Sequence, residues 1–253
     1  MDLGLSGKVF LVTGASRGLG FATARCLVDE GAKVVISSRN ETALTEAVNA
    51  LGGQGRALGV PADNARESTA ALLVGAAKDH FGRLDGALIS VGGPPRGTAA
   101  QVTDDQWRAA FESVFLGAVR LTRTVASSLD KGGAIALVLS SSARCPVPDL
   151  GISNGLRPGL VGAAKDMADQ FGARGVRVVS LLPGRIMTDR NRELFAATGD
   201  PDKARADAEA LIPLGRLGSP EEFGRVAAFL LSPAASYLTG VAIPVDGGQV
   251  RAL

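Results

Sequence analysis

The segment Val9–Gly20, which reads VFLVTGASRGLG, decides the fold. Its first half is a run of apolar and β-branched residues, and its second half carries glycines at positions 14, 18 and 20 before a helical pattern opens. A buried strand that turns through glycines into a helix N-terminus predicts a phosphate-binding turn, because the helix end offers unpaired N–H groups and glycine lets the backbone approach a pyrophosphate. The spacing G-x-x-x-G-x-G differs from the common G-x-G-x-x-G fingerprint of dinucleotide-binding folds.

Outward from this turn, apolar strand patterns alternate with helical patterns along the whole chain. The strands are continuously apolar, as in a parallel sheet that is covered on both faces, and the alternation favours right-handed crossovers. We therefore predict one α/β domain over residues 1–253, a doubly wound parallel sheet with helices on both faces. The predicted elements are strands at 8–13, 33–38, 56–61, 84–90, 134–139, 176–182 and 241–245, and helices at 18–30, 41–51, 66–81, 103–129, 153–173 and 202–211.

Polar and glycine-rich clusters follow the predicted strands. In open α/β sheets the ligand binds outside the carboxyl ends of the strands, so these clusters predict a site at one edge of the sheet. The segment 187–217 leaves the sixth strand at that edge, and we interpret it as a lid over the substrate, with a solvated surface helix as the alternative. The clusters lie at 14–20, 38–39, 63–64, 90–93, 140–142 and 183–188.

Composition excludes several classes of function. The net charge is +2 without any block of like charges, which argues against a nucleic-acid partner. No apolar run approaches the roughly 18 residues of a membrane span, and the N-terminus lacks a signal-peptide pattern. The two cysteines form no C-x-x-C motif, so a cytoplasmic protein is expected. The single histidine, His80, excludes a metal site built from several imidazoles, and we predict no metal.

Four motifs in order resemble the short-chain dehydrogenase/reductase family. They are T-G-x-x-x-G-x-G at 13–20, P-G-R-I-M-T at 183–188, P-L-G-R-L-G-S-P-E-E at 213–222 and Y-L-T-G with D-G-G between 237 and 248. The chain is most similar to the 3-oxoacyl-acyl-carrier-protein reductase-like group, over essentially its whole length. The resemblance implies a Rossmann-type sheet, hydride transfer between a nicotinamide cofactor and a small carbonyl or alcohol substrate, and a homo-oligomer, either a tetramer or a dimer.

The second strand indicates which cofactor is used. An NAD enzyme places an acid about 20 residues after the glycine turn, on the ribose 2′-hydroxyl. Here Ser38 and Arg39 end that strand and Arg17 lies in the turn, so we prefer NADP over NAD, because guanidinium groups bind phosphate bidentately. The alternative is that both arginines are ordinary solvated charges. The resemblance also implies that Asp63 contacts the adenine and that Ile186 and Thr188 contact the carboxamide. The predicted cofactor-binding residues are Gly14, Ser16, Arg17, Gly18, Leu19, Gly20, Ser38, Arg39, Asp63, Asn64, Val91, Gly92, Pro183, Gly184, Ile186 and Thr188.

The catalytic positions depart from the family pattern. The family's proton donor is a tyrosine with a lysine four residues later, and these positions fall on Ser153 and Arg157. The family's asparagine falls on Phe115, and its serine is retained at Ser140 or Ser141. The N-N-A-G motif is replaced by residues 89–92, and the only tyrosine, at position 237, belongs to another motif. The predicted catalytic residues are therefore Ser140, Ser141, Ser153 and Arg157, with Arg96, Arg144, Asn154 and Arg185 as further polar candidates.

Two interpretations of Ser153 follow. As a proton donor it is handicapped, since a serine hydroxyl has a far higher pKa than a phenol, at about 10. As the N-cap of a helix it is an ordinary serine, and this interpretation is favoured. The chain is accordingly predicted to be an NADP(H)-dependent oxidoreductase with a non-standard proton donor. The alternatives are a catalytically inactive NADP-binding homologue that acts as a sensor or oligomer partner, and a protein that keeps the fold only for assembly.

Overall fold

One parallel sheet organises the chain. The computed structural model describes residues 2–129 and 132–252, and within them seven strands follow the order β3-β2-β1-β4-β5-β6-β7. The predicted single Rossmann-type α/β domain is confirmed, although residues 1, 130, 131 and 253 of its predicted range lie outside the described part. The strands are β1 (Val9–Thr13), β2 (Lys33–Ser38), β3 (Ala57–Pro61), β4 (Gly86–Ser90), β5 (Gly133–Val138), β6 (Val176–Pro183) and β7 (Ala242–Val245).

Helices cover both faces of the sheet. Among residues 2–129 and 132–252, none of them combines the length and the apolar character that a membrane span needs. A π-helical segment, Phe111–Leu116, joins two of the α-helices. The α-helices are α1 (Gly18–Asp29), α2 (Glu41–Ala50), α3 (Thr69–Phe81), α4 (Asp104–Ala110), α5 (Gly117–Ser128), α6 (Gly151–Gly172), α7 (Asp189–Ala196), α8 (Pro201–Glu209) and α9 (Pro220–Leu231).

The sheet separates two apolar cores. Leu11 of β1 packs with α3, α5 and α6 on one face, whereas its neighbours Phe10 and Val12 pack with α1, α2 and α9 on the other. All three side chains are fully buried. Successive side chains of a strand point to opposite faces, so a strand buried on both sides must be apolar throughout. This explains why the predicted strands contain no polar alternation.

The helix predicted at 103–129 is not a continuous α-helix. Thr103 caps it as expected, with a capping box to Gln106, but the π-helical segment separates α4 from α5. Gly117 follows that segment and lies against the loop after β3, where a Cβ would be 2.4 Å from the carbonyl oxygen of Asn64. A glycine is therefore needed for α5 to approach this loop.

Two helices were absent from the sequence prediction. Helix α7 occupies the start of the predicted lid, and α9 follows the P-L-G-R-L-G-S-P-E-E motif. Ser219 and Glu222 form a capping box at the start of α9, with Pro220 at the first helical position. These are sequence signals of a helix N-terminus, so α9 could have been predicted from its own residues.

The order of the strands creates a crevice between β1 and β4. The chain winds outward in opposite directions from these two neighbours, and ligands of open α/β sheets bind at such a point. The last residues of β1 and β4 are joined by two hydrogen bonds. The Thr13 hydroxyl donates to the Ser90 carbonyl at 2.8 Å and accepts from the Ser90 N–H at 2.9 Å.

Candidate active site

A cavity of about 1420 Å³ lies at the carboxyl ends of the strands. All sixteen predicted cofactor-binding residues and all four predicted catalytic residues line it. Strands and loops far apart in sequence converge there, as expected for parallel strands that end at the same edge. Side chains of the predicted lid also line the cavity, and they are Thr188, Asp189, Arg190, Asn191, Leu194, Phe195, Thr198 and Ala204.

The glycine turn has the geometry of an anion cradle. Gly14 and Gly18 adopt φ of 61° and 63°, in the left-handed region that favours glycine. A Cβ on Gly20 would lie 2.6 Å from the carbonyl oxygen of Gly14, so only glycine lets α1 start this close to the turn. No side chain caps α1, and no acid lies in its first turn. Its N-terminal N–H groups are therefore available to a phosphate, and the turn fits a dinucleotide.

Two arginines lie beside the end of β2. Arg17 and Arg39 line the cavity and are exposed, and Ser38, the last residue of β2, lines it as well. Arg17 Nη1 is 3.4 Å from Glu193 Oε1 of α7, with both side chains about two-thirds exposed. The cavity there has two guanidinium groups and a hydroxyl, the donors that a ribose phosphate requires.

The loop after β3 closes the other side of this part of the cavity. Asp63 accepts the N–H of Ala65 at 3.0 Å, and Asn64 Nδ2 donates to the Ser90 carbonyl at 3.3 Å. Both side chains are half-buried and are held by these bonds. The loop is thus fixed to the end of β4, across the crevice.

Ser153 is not the N-cap of a helix, and that favoured interpretation is wrong. Helix α6 begins at Gly151, two residues earlier, with Leu150 in the capping position. Gly151 allows this early start because its backbone packs on the loop before α4, where a Cβ would lie 2.4 Å from the Ala99 nitrogen. Ser153 is consequently a buried residue of the first turn, and it lines the cavity.

Among the residues that the structure describes, the Ser153 hydroxyl has one hydrogen-bond partner, Ser142. The two Oγ atoms are 2.9 Å apart, and both residues are buried. Sequence reasoning named Ser140 and Ser141 and missed Ser142, although the run of three serines after β5 was visible. The Ser140 hydroxyl accepts the Ser142 N–H at 3.1 Å and caps a short 3₁₀ turn, while Ser141 is half-buried at the cavity.

Arg157 is a buried cation without an acidic partner among the described residues. It is 3% exposed, and its two terminal nitrogens donate to the carbonyls of Val138 at 3.1 Å and Gly92 at 2.7 Å. Its Nε is buried and has no partner in the described part of the chain. Burial lowers the pKa of Arg157 to about 10, and the charge of Arg190 acts in the same direction.

Phe115, on which the family's asparagine position falls, does not line the cavity. Its ring stacks on Phe111 with centroids 5.1 Å apart and packs against Gly159 of α6, where a Cβ would lie 3.0 Å from it. Val114 lines the cavity instead and is 3% exposed. The π-helical segment changes which residue faces inward, and nothing in the sequence indicated that segment.

Two further candidates have structural roles. Both ends of the Asn154 amide bind the backbone of Val147, at 3.0 Å and 2.9 Å, and hold the loop before α6. Arg144 donates to the Ala242 carbonyl at 3.0 Å, outside the cavity. Arg96 and Arg185 do line the cavity, and sequence reasoning missed Arg190, which lines it from α7.

Known proteins resemble this chain over nearly its whole length. Residues 14–249 match the family model described as enoyl-(acyl carrier protein) reductase. The 3-oxoacyl-[acyl-carrier-protein] reductase FabG of Vibrio cholerae is 33% identical over 249 residues, which are 98% of this chain and 99% of the relative.

Two solved structures superimpose over nearly the whole chain. The L-sorbose reductase of Gluconobacter frateurii, complexed with NADPH and L-sorbose, has a TM-score of 0.93 at 31% identity, with 100% of both chains covered. A short-chain oxidoreductase of Pseudomonas aeruginosa PAO1 that contains an atypical catalytic center has a TM-score of 0.91 at 30% identity, covering 99% of this chain and 100% of its own. The chain therefore belongs to the short-chain dehydrogenase/reductase family of oxidoreductases.

Proposed function

We propose that this protein is an NADP(H)-dependent oxidoreductase that transfers hydride between the nicotinamide and a small carbonyl or alcohol substrate, with a serine in place of the family's tyrosine. The observation that carries the proposal is the presence of Ser153 and Arg157 in the same cavity as the glycine turn. The NADPH in the sorbose reductase structure supports the choice of cofactor. The resemblance to 3-oxoacyl-acyl-carrier-protein reductases, with the tyrosine and lysine replaced, is part of this proposal.

The cofactor would be held along the whole cavity. The N–H groups at the start of α1 would bind the pyrophosphate, and Arg17, Ser38 and Arg39 would bind the 2′-phosphate. The absence of an acid at the end of β2 supports NADP over NAD. Asp63 and Asn64 would border the adenine. The nicotinamide end would lie against Val91, Gly92, Pro183, Gly184, Ile186 and Thr188. When bound, the dinucleotide supplies or accepts the hydride.

Ser153 would hold the proton that the carbonyl oxygen receives. Its hydroxyl is oriented by Ser142 at 2.9 Å. Arg157 follows one turn later on α6, and residues four apart lie on the same face of a helix. The positive charge of Arg157 would stabilise negative charge on the serine oxygen as the proton leaves. Ser140 and Ser141 border the same part of the cavity and would bind the substrate oxygen.

The segment 187–217 would act as a lid. Leu194, Phe195 and Ala204, from α7 and α8, line the same cavity as the glycine turn. A lid that excludes water strengthens the electrostatic interactions beneath it. We further propose a homo-oligomer, a tetramer or a dimer, in the cytoplasm, and the exposed Leu214 and Tyr237 near the C-terminal strand are consistent with burial between subunits.

The second candidate is a catalytically inactive NADP-binding homologue that serves as a sensor or oligomer partner. The loss of the family's tyrosine, lysine and asparagine together favours it, because these positions fall on Ser153, Arg157 and Phe115. Both candidates require the cofactor to bind, so turnover distinguishes them.

The decisive experiment combines binding with turnover. Trp107, the only tryptophan, packs against α6 at Gly155, and its fluorescence can report NADPH by energy transfer. We expect saturable NADPH binding, followed by oxidation of NADPH with at least one member of a panel of ketones and 3-oxoacyl thioesters. Tight binding without any turnover, with alcohols and NADP⁺ included, would favour the inactive homologue. Absence of binding would contradict both candidates.

A further inference from the structure

We propose that the substrate carries a carboxylate, which binds between Arg157 and Arg190 while the neighbouring carbonyl is reduced. The inference rests on the proposed function of the same cavity and names the class of its substrate, an oxo acid. The hydride adds to the carbonyl carbon and a proton adds to its oxygen, so the oxo acid becomes a hydroxy acid and NADPH becomes NADP⁺. The carboxylate itself is unchanged.

The first observation is the unsatisfied charge of Arg157. Its two terminal nitrogens are bound to neutral carbonyls, and its Nε has no partner within the described residues. No carboxylate of the described chain lies within 4.0 Å of this guanidinium, although it is 3% exposed. Burying a charge without a counter-ion is costly, so an anion that enters the cavity would recover part of that cost.

The second observation is that Arg190 is held against the same loop. A Cβ on Gly93 would lie 2.1 Å from Arg190 Nη1 and 2.8 Å from its Cζ, so the guanidinium lies directly on the glycine. Gly93 follows Gly92, whose carbonyl binds Arg157. The absence of a side chain at position 93 therefore makes room for a second cation near the first.

The two arginines repel each other unless an anion lies between them. The charge of Arg190 is felt at Arg157, where it lowers the pKa of that group. Arg190 has no carboxylate within 4.0 Å among residues 2–129 and 132–252, whereas Arg192 on the same helix is paired with Asp189 at 2.7 Å. Arg157 is buried and Arg190 is exposed, and both line the same cavity. A pair of like charges at one cavity is a binding arrangement for an anion, because one negative charge offsets both.

A carboxylate matches the free donors better than a larger anion. Arg157 keeps its Nε–H and one further N–H on each terminal nitrogen, and Arg190 offers its guanidinium fork. Two carboxylate oxygens can accept from both groups, and guanidinium binds carboxylate bidentately. Ser153 lies one turn from Arg157 on α6, which brings the proposed proton donor near a carbonyl next to the carboxylate.

The test uses carboxylates that cannot be reduced. NADPH-loaded protein is titrated by calorimetry with oxamate and N-phenyl oxamate, each compared with its neutral amide, and with inorganic phosphate. We expect the carboxylates to bind at least roughly 10-fold more tightly than the amides, from the usual strength of hydrogen bonds to charged groups. Equal affinity for carboxylates and amides, or tighter binding of phosphate, would overturn the proposal.

Three variants test whether Arg190 causes the preference for carboxylates over amides. R190Q removes the charge, and G93A keeps the arginine but displaces its guanidinium, at a glycine whose φ is not left-handed. Both should weaken oxamate binding about 10- to 100-fold and leave the amides unchanged. R192Q, on the same helix but outside this cavity, is the control and should bind oxamate like the wild type. Unchanged oxamate affinity in R190Q would contradict the assignment.

The two proposals fail separately. If NADPH does not bind, the proposed function fails before any carboxylate is added. If oxamate binds through Arg190 but no carbonyl compound, oxo acids included, is turned over, the carboxylate site stands and the catalytic proposal fails. If other carbonyl compounds are reduced and oxamate does not bind, the catalytic proposal stands and the substrate class is wrong.

Discussion

Arg17 Nη1 lies 3.4 Å from Glu193 Oε1, and this contact joins the phosphate-binding turn to the first helix of the proposed lid. The residues are 176 positions apart in sequence and meet only because β1 and β6 end at the same edge of the sheet. The arginine that would bind the 2′-phosphate is therefore already in contact with a carboxylate of α7. Binding of the cofactor and movement of the lid are expected to be coupled through this pair.

The first prediction is that Glu193→Gln tightens NADPH binding. Both side chains are about two-thirds exposed, and such pairs contribute about 1 kcal/mol at most, so the gain should not exceed about fivefold. NADH affinity should stay unchanged, because NADH lacks the 2′-phosphate. Energy transfer from Trp107 measures both, and Glu209→Gln, which affects a pair within α8, is the control. Weaker NADPH binding in Glu193→Gln would contradict the view that Glu193 and the 2′-phosphate compete for Arg17.

The second prediction concerns cofactor choice. Arg17→Ala and Arg39→Ala should each weaken NADPH binding about 10- to 100-fold, the usual value of a hydrogen bond to a charged group, and leave NADH binding nearly unchanged. Arg25→Ala is the matched control, since Arg25 lies on α1 over the Phe21 ring and does not line the cavity. Equal losses of affinity for NADPH and NADH would mean that the arginines stabilise the fold and do not bind the 2′-phosphate.

The third prediction concerns the buried serine pair. Ser153→Ala should lower kcat about 100- to 10,000-fold without changing NADPH affinity, as for the loss of a general acid. Ser142→Ala should give a smaller loss, because Ser153 keeps its hydroxyl but loses its partner at 2.9 Å. Ser128→Ala, whose hydroxyl binds the Val125 carbonyl in α5, is the control. Full activity in Ser153→Ala would show that another group donates the proton.

The fourth prediction is a pH dependence of stability at α9. The bidentate bond from Arg216 and the N–H of Ser219 lower the pKa of Glu222 to about 2, from an ordinary value of 4.5. A lowered pKa stabilises the fold above the ordinary value, and the contribution is lost as the pH falls from 4.5 through about 2.

Glu222→Gln tests this directly. Because the side chain is 41% exposed, the variant should lose only about 1 kcal/mol of unfolding free energy at pH 7. The difference from the wild type should shrink below pH 4.5 and vanish near pH 2 in urea titrations. Glu221→Gln, on the adjacent exposed residue, should show no such convergence. If the difference in unfolding free energy were the same at every pH, ionisation of the Glu222 carboxylate would not be its cause.

Local patterns predicted most of the fold. The apolar run of β1 and the glycines after it specify a strand, a turn and a helix start without reference to the rest of the chain. Asn40 caps α2 as predicted, through its side chain and the N–H of Ala43 at 2.9 Å. Gly82 ends α3 in the left-handed conformation, with φ of 77°. In each case the residue type carries the structural information itself.

The errors in the site came from contacts distant in sequence. The start of α6 depends on how Gly151 packs on Ala99, 52 residues earlier, and no local pattern encodes that contact. The inward position of Val114 depends on a π-helical segment whose i→i+5 bonds shift the helix face. The charge of Arg190 was missed because α7 was not predicted, so its direction could not be inferred.

The anchoring of Arg157 also restricts which side chains this site can accommodate. Its guanidinium joins β5 at Val138 to the loop at Gly92, 19 and 65 residues away in sequence, and a lysine has a single nitrogen that cannot reproduce this fork. A tyrosine at position 153 would meet the Ser142 hydroxyl that now lies 2.9 Å from the serine. A tyrosine at position 153 or a lysine at position 157 would therefore be poorly packed, and each change is expected to lower the stability of the fold.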